Sequence, residues 1–239
     1  MELYSWIIGN KEWIKIIYAL IIISICGFIV YKSDRLFRMS FHKGIRYFRN
    51  AFLFFGIGFA IRYILGDLIY SIYPSLVYYS IITVLFEYFL IMAGFFLLYS
   101  LLWKQIENHG TDYSSSLFNS KIAIFHFISL AIAFFDYLWQ THYLMFFSQI
   151  VLFIIASLVS YLNYARKGAR RRFLKFYFIA MLLSLIAWTL NALAALYFNW
   201  NQAVLINIYI LNMVVFLLFL YGVIKLTKIK SKNSSVTAP

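Results

Sequence analysis

Eight side chains that could hold a ligand occur within long apolar stretches of this 239-residue sequence. They combine charged, amide and indole groups: Arg62, Asp67, Glu87, Asp136, Gln149, Trp188, Asn191 and Asn212. Such groups can bind ions, hydrogen-bond a polar molecule or carry a proton. They are costly inside a membrane, where they commonly mark functional sites. What they can do together depends on the segments that position them.

The composition excludes an ordinary soluble domain. Hydrophobic residues make up 64% of the chain and charged residues only 12%, against about a quarter charged in a typical soluble chain. Stretches long enough to cross a hydrocarbon core of ~30 Å recur at about 13–31, 51–70, 77–103, 122–139, 143–164, 176–198 and 204–226. The sequence therefore predicts an all-α polytopic membrane protein. We expect one seven-transmembrane-helix domain over residues 1–230 and a disordered cytoplasmic tail over 231–239.

Positive charge alternates between the links that join these stretches. The links 32–50 and 165–175 are strongly basic, whereas 71–76, 140–142 and 199–203 contain no lysine or arginine. Because basic links stay on the cytoplasmic side, we expect the N-terminus outside and the C-terminus in the cytoplasm, in the plasma membrane.

The basic links also predict partners at the cytoplasmic face. Residues 165–175 hold six lysines and arginines among eleven positions, which exceeds what orientation requires. Anionic lipid headgroups would be attracted to both 32–50 and 165–175, and an acidic cytosolic protein is an alternative partner. Nucleic acid is not expected, because the aromatic residues interleaved with these charges lie at the membrane edge.

Five of the polar side chains fall at a common depth. Counted from the outer ends of their segments, Arg62, Glu87, Gln149, Asn191 and Asn212 lie roughly 10–15 Å below the outer surface at ~1.5 Å per residue. On the same count Asp67 and Asp136 lie about 5 Å deep and could instead reach water. This layer predicts an outward-facing polar pocket, lined also by Trp188 on the Asn191 face of its helix. The alternative is that amides and small residues only hold helices together.

Arg62 and Glu87 are expected to form an ion pair in this layer. Both lie on helical faces of small or polar residues, and an isolated charge in the bundle would be costly. Asp67 or Asp136 could replace Glu87 as the partner. Since three carboxyls accompany one arginine in the outer half, we expect a ligand with a positive group, or a coupling proton, rather than an anion.

No catalytic motif accompanies the polar layer. The sequence lacks the nucleophile elbow, the zinc-protease motif and the phosphate-binding glycine loop. His126 and Asp136 lie ten residues apart, too far along one helix to share a metal ion. We therefore expect neither an enzyme nor a bound metal or cofactor.

Three functions remain. The seven spans in this orientation resemble, in topology, microbial rhodopsins, seven-span receptors and the input domains of histidine kinases. The resemblance favours a sensor of receptor type. Rhodopsins bind retinal through a lysine in the middle of the seventh helix; residues 211–216 contain none, so covalent retinal is not expected. A small-solute or proton-coupled transporter is the first alternative, and a structural or accessory subunit is the second.

Overall fold

The computed structural model of the protein describes residues 11–66, 75–106, 117, 120–167, 172–197 and 202–236. Within these residues there is no strand, and the chain forms seven α-helices. They are α1 Lys11–Ser40, α2 Lys43–Phe59, α3 Leu76–Ile106, α4 Ser120–Trp139, α5 Tyr143–Lys167, α6 Arg172–Leu196 and α7 Gln202–Val236. All seven are long and apolar enough to cross a membrane, α2 together with the residues that continue it to Leu65. The predicted all-helical class is confirmed, with seven helices whose length and composition would allow them to span a membrane.

Several helices continue past the predicted ends of their spans. Because α1 ends at Ser40 and α2 begins at Lys43, most of the predicted basic loop 32–50 is helical. The last helix runs to Val236, so the predicted start of the tail at residue 231 falls inside a helix. The hydropathy pattern marks the apolar part of each helix. The polar turns beyond it still satisfy their backbone hydrogen bonds by staying helical.

The turn between α4 and α5 is built without glycine. Gln140 has a positive φ of 51°, and its N–H donates to the Tyr137 carbonyl at 3.1 Å. The Thr141 N–H donates to the Asp136 carbonyl at 3.0 Å. Together these bonds form a Schellman motif, which closes the C-terminus of a helix. The turn ends α4 abruptly and lets α5 begin at Tyr143.

Six of the seven helices close a ring. Following the packing from neighbour to neighbour gives the order α1, α2, α3, α5, α6, α7 and back to α1. Helix α4 lies outside the ring, against α3 and α5. It exposes large apolar side chains away from them, such as Phe127 and Leu130. The interior of the ring is therefore bounded by six helices and not by α4.

Helices α2 and α3 pack closely because glycines face α3. A Cβ placed on Gly58 would lie 3.3 Å from the Phe89 Cβ, and one on Gly66 would lie 3.4 Å from the Ile82 Cγ2. Small residues let neighbouring helices approach in this way. The chain after Lys43 therefore lies in close contact with α3 along the side that carries Gly58 and Gly66.

Candidate ligand-binding cavity

A cavity of about 470 Å³ lies inside the six-helix ring. Every helix of the ring contributes to its wall, as represented by Tyr18, Phe59, Phe86, Phe146, Trp188 and Phe216. Helix α4 contributes none of the lining residues in the described part of the chain, as its position outside the ring requires. The volume falls in the usual range of small-molecule sites, about 300–1,000 Å³.

The cavity is polar at one end of the bundle. Six of its charged and hydrogen-bonding residues come from the first two turns of α1, α3 and α7, from the residue before α5, from the last two turns of α6, and from the segment after α2. These six residues are Lys15, Tyr79, Tyr209, His142, Asn191 and Arg62. Consecutive helices run in alternating directions. The starts of α1, α3, α5 and α7 and the ends of α2 and α6 therefore lie at the same end of the bundle. By the basic links, this is the predicted outer end.

Aromatic rings line the opposite end of the cavity. The Phe52 ring of α2 lies 5.8 Å from that of Phe216 and 5.1 Å from that of Phe219 on α7. The Phe55 and Phe216 rings are 5.5 Å apart, nearly perpendicular. Helices α2 and α7 are not neighbours in the ring, so these side chains meet across its interior. We call this group of four the aromatic floor.

Arg62 lies on a distorted stretch of helix at the polar end. Residues Ala60–Leu65 form a π-helix, in which the Gly66 N–H bonds to the carbonyl of Ile61, five residues earlier. Such segments are rare and occur frequently at functional sites. The π-helix changes the angular spacing of side chains in this segment, and Arg62 within it lies in the cavity wall.

The guanidinium of Arg62 is held by α3. Nη1 donates to the Thr83 Oγ1 at 3.1 Å and Nη2 to the Tyr79 hydroxyl at 2.9 Å. Its central carbon lies 5.1 Å from the Tyr79 ring centroid and 5.8 Å from that of Phe86, in the range of cation–π attraction. These hydrogen bonds use two of the five N–H donors of an arginine. The group is therefore fixed in place with donors remaining.

The predicted Arg62–Glu87 ion pair is wrong. Glu87 Oε1 instead bonds to the Nδ1 of His142, at 2.5 Å. Glu87 is 2% exposed, and its Oε2 is buried without a hydrogen-bond partner among the described residues. At about 100° per residue, Glu87 is turned away from Phe86, which lines the cavity, so its carboxyl faces α5 rather than Arg62. His142 lines the cavity; Glu87 lies behind it.

Asp136 supports the start of α5. Its Oδ1 accepts the Leu144 N–H at 3.0 Å, and its Oδ2 accepts the Met145 N–H at 2.6 Å. These are two of the four backbone donors that a helix leaves unsatisfied at its N-terminus, and the negative charge also complements the helix dipole. Asp136 is fully buried and does not line the cavity. The predicted convergence of carboxyls on Arg62 is thus not found for Glu87 or Asp136.

Three more predicted residues do line the cavity: Trp188, Asn191 and Asn212. The Asn191 Nδ2 donates to the Ala187 carbonyl of its own helix at 2.8 Å. Arg62 and these three residues are the part of the predicted polar layer that meets in one place.

Gln149 and Asp67 complete the predicted set. Gln149 is fully buried outside the cavity lining. Its Oε1 would lie 3.0 Å from a Cβ placed on Gly94. Neither amide atom of Gln149 has a hydrogen-bond partner among the described residues. Asp67 lies outside the residues that the structure describes.

Sequence reasoning missed His142. It lies in a three-residue link that the hydropathy pattern assigns to the outer surface, whereas Glu87 is eleven residues into α3. The two meet because α5 begins deeper in the bundle than α3 does. A histidine directly before an apolar helix and after a Schellman turn was the available signal.

The described residues contain no group of three or more His, Cys, Asp or Glu side chains that could hold a metal ion. Comparison with known proteins gives no match to a protein family, a curated protein or a solved structure.

Proposed function

We propose that this protein is a seven-helix membrane sensor of receptor type that binds a small molecule in the cavity inside the six-helix ring. In this proposal the helices span the plasma membrane, with the N-terminus outside and the C-terminus in the cytoplasm. The observation that carries it is the convergence of polar side chains from six helices on one cavity. A molecule that touches six helices can favour one arrangement of them over another, which is what a sensor requires.

The aromatic floor favours a sensor over a transporter. A transported molecule needs a route to the far side, and Phe52, Phe216 and Phe219 pack across the interior at that end. The transporter remains the second candidate because of the π-helix Ala60–Leu65, since transporters interrupt their helices at binding sites. A purely structural subunit fits less well, because a 470 Å³ cavity is not a packed centre.

Native mass spectrometry of the full chain, purified in mild detergent, tests the binding function. We expect a small molecule to remain bound to the wild type. Ala187→Phe fills the cavity from α6 and should abolish the adduct. The neighbouring Ile186 is 43% exposed on the outside of the bundle, so Ile186→Phe is the matched control and should keep it. An adduct that survives Ala187→Phe, or its absence from the wild type, contradicts the proposal.

Transport is tested separately. Proteoliposomes containing the wild type are loaded with the molecule identified by mass spectrometry on one side only. A sensor should not carry it across. Uptake that Ala187→Phe abolishes would favour the transporter.

A signalling face is proposed for the cytoplasmic ends of α1 and α2. Asp34 accepts hydrogen bonds from Arg38, at 3.0 Å, and from Arg49. This joins the two helices and surrounds the carboxylate with basic groups, while Arg38 stays 80% exposed. Such a surface suits anionic lipid headgroups or an acidic cytosolic partner, as the basic links 32–50 and 165–175 predict.

A further inference from the structure

Arg62 lines the polar end of the cavity, and no aspartate or glutamate is found among the described residues of the cavity wall. The two described carboxyls nearby form hydrogen bonds with other groups, Glu87 with His142 and Asp136 with the backbone of α5. A positive charge in an apolar bundle is costly when no anion accompanies it. The cavity therefore favours a negatively charged guest.

Arg62 is presented in the way that anion recognition requires. Its contacts with Tyr79, Thr83 and Phe86 hold the guanidinium against the α3 wall. The remaining N–H donors have no partner among the described residues. A guanidinium edge matches the two oxygens of a carboxylate, and charge-assisted hydrogen bonds of this kind are about twice as strong as neutral ones.

The rest of the cavity suits an extended apolar body. Arg62 and Phe52 are ten residues apart along one span, and Asn212 and Phe219 seven residues apart along another. At ~1.5 Å per residue, the polar end and the aromatic floor are therefore about 10–15 Å apart. Between them the wall consists of aromatic and aliphatic side chains such as Phe59 and Val215. A small hydrophilic anion would leave this surface without contacts.

We propose that the ligand is an amphipathic organic acid, with its carboxylate on Arg62 and its apolar body extending to the aromatic floor. The inference rests on the proposed binding function and specifies its ligand class. It replaces the positively charged ligand that the count of three carboxyls predicts, because the two of them that the structure describes, Glu87 and Asp136, bond to His142 and to the α5 backbone instead of Arg62.

Equilibrium binding of three probes with the same chain tests this assignment. The full chain in nanodiscs of uncharged lipid is titrated with dodecanoate, dodecanol and dodecyltrimethylammonium at a pH where the acid is ionised. Empty nanodiscs correct for partition into lipid. We expect dodecanoate to bind about 10- to 100-fold more tightly than the other two, the range that a charged hydrogen bond provides.

Variants assign the preference to Arg62. Arg62→Gln should lower dodecanoate affinity to the level of dodecanol and leave dodecanol binding unchanged, whereas Arg62→Lys should keep part of the preference. Arg35→Gln is the matched control, since Arg35 is exposed on α1 and does not line the cavity. A thermal unfolding curve for each variant verifies that it is folded.

Other outcomes overturn the inference. Equal binding of dodecanol, tighter binding of the ammonium probe, no binding of any probe, or dodecanoate affinity untouched by Arg62→Gln would each do so. The two proposals fail separately. A neutral or cationic adduct in native mass spectrometry would preserve the binding function and refute the organic acid.

Discussion

Glu87 and His142, fifty-five positions apart in the sequence, are joined by a hydrogen bond of 2.5 Å between Oε1 and Nδ1. The bond connects the middle of α3 to the residue that precedes α5, and so closes one side of the ring. The two partners differ in their surroundings. Glu87 is 2% exposed, whereas the His142 side chain is 42% exposed and faces the cavity.

This difference predicts unequal losses of stability. His142→Leu leaves the buried carboxyl without a partner and should cost on the order of 3–5 kcal/mol, as for other broken buried pairs. Glu87→Leu should cost less, because water in the cavity can solvate the imidazole. The double variant should be more stable than His142→Leu alone. Equilibrium unfolding in detergent measures all three.

The three variants of Glu87 and His142 form a double-mutant cycle, and the matched comparison is the same cycle for Arg62 and Glu87. Because Arg62 bonds to Tyr79 and Thr83 instead, its substitution by leucine should be closer to additive with Glu87→Leu. A coupling energy larger than that of the Glu87–His142 cycle would mean that the predicted pair forms after all.

Asp136 should stabilise the start of α5 rather than bind ligand. Asp136→Ala removes the acceptor for two N–H groups and should cost about 1–2 kcal/mol, as capping residues do. Asp136→Asn keeps an acceptor and should cost less. Hydrogen exchange at Leu144 and Met145 should accelerate in the alanine variant. Unchanged exchange there, with lost dodecanoate binding, would assign Asp136 to the ligand site.

Two glycines should respond in opposite directions to alanine. A Cβ on Gly44 would lie 2.7 Å from the Trp103 Nε1 and 2.9 Å from the Ser100 carbonyl oxygen. Gly44→Ala should therefore destabilise the α2–α3 contact by ~1–3 kcal/mol, as overpacking does. Nothing lies within 4 Å of a Cβ on Gly27, so Gly27→Ala should stabilise α1 by up to about 1 kcal/mol. Equal effects in thermal unfolding would contradict the close α2–α3 packing.

The helices and part of the site follow from sequence because they depend on local properties. Apolar length identifies a spanning helix without knowledge of its neighbours. Periodicity likewise identifies the buried side of α4, where Ser129, Ala133 and Asp136 are fully buried. The same reasoning selects Arg62, Trp188, Asn191 and Asn212, all of which line the cavity.

The hydrogen-bond partners of the buried charged residues could not be predicted from the sequence, because they depend on how the helices are arranged. Counting depth from the end of each apolar stretch assumes that all helices begin at one level. This assumption fails for α5, which begins deeper, so that His142 meets Glu87 in the middle of α3. The sequence also treats all seven spans as equivalent. Only packing places α4 outside the ring, and with it Asp136.

The orientation of the termini is a separate prediction of the basic links. A reporter fused after Pro239 should be active in the cytoplasm, and one fused before the first residue should be active outside. Substituting Arg170, Arg171 and Arg172 together by glutamine should reduce binding to anionic liposomes and leave thermal unfolding unchanged. Both termini on one side would overturn the orientation, and unchanged liposome binding would limit these arginines to an orientation signal.

Tyr79 and Thr83 should tune the affinity of the cavity by positioning Arg62. Tyr79→Phe removes the hydroxyl that accepts from Nη2, and Thr83→Val removes the acceptor for Nη1. Each should lower dodecanoate affinity by about 3- to 10-fold, the equivalent of one hydrogen bond at ~1 kcal/mol, because the guanidinium then samples other positions. Dodecanol binding should not change, since that probe does not use the charge.

Tyr78→Phe is the matched control, because Tyr78 is exposed and does not line the cavity. If Tyr78→Phe weakens dodecanoate binding as much as Tyr79→Phe does, the loss arises from the exposed surface of α3 and not from the placement of Arg62.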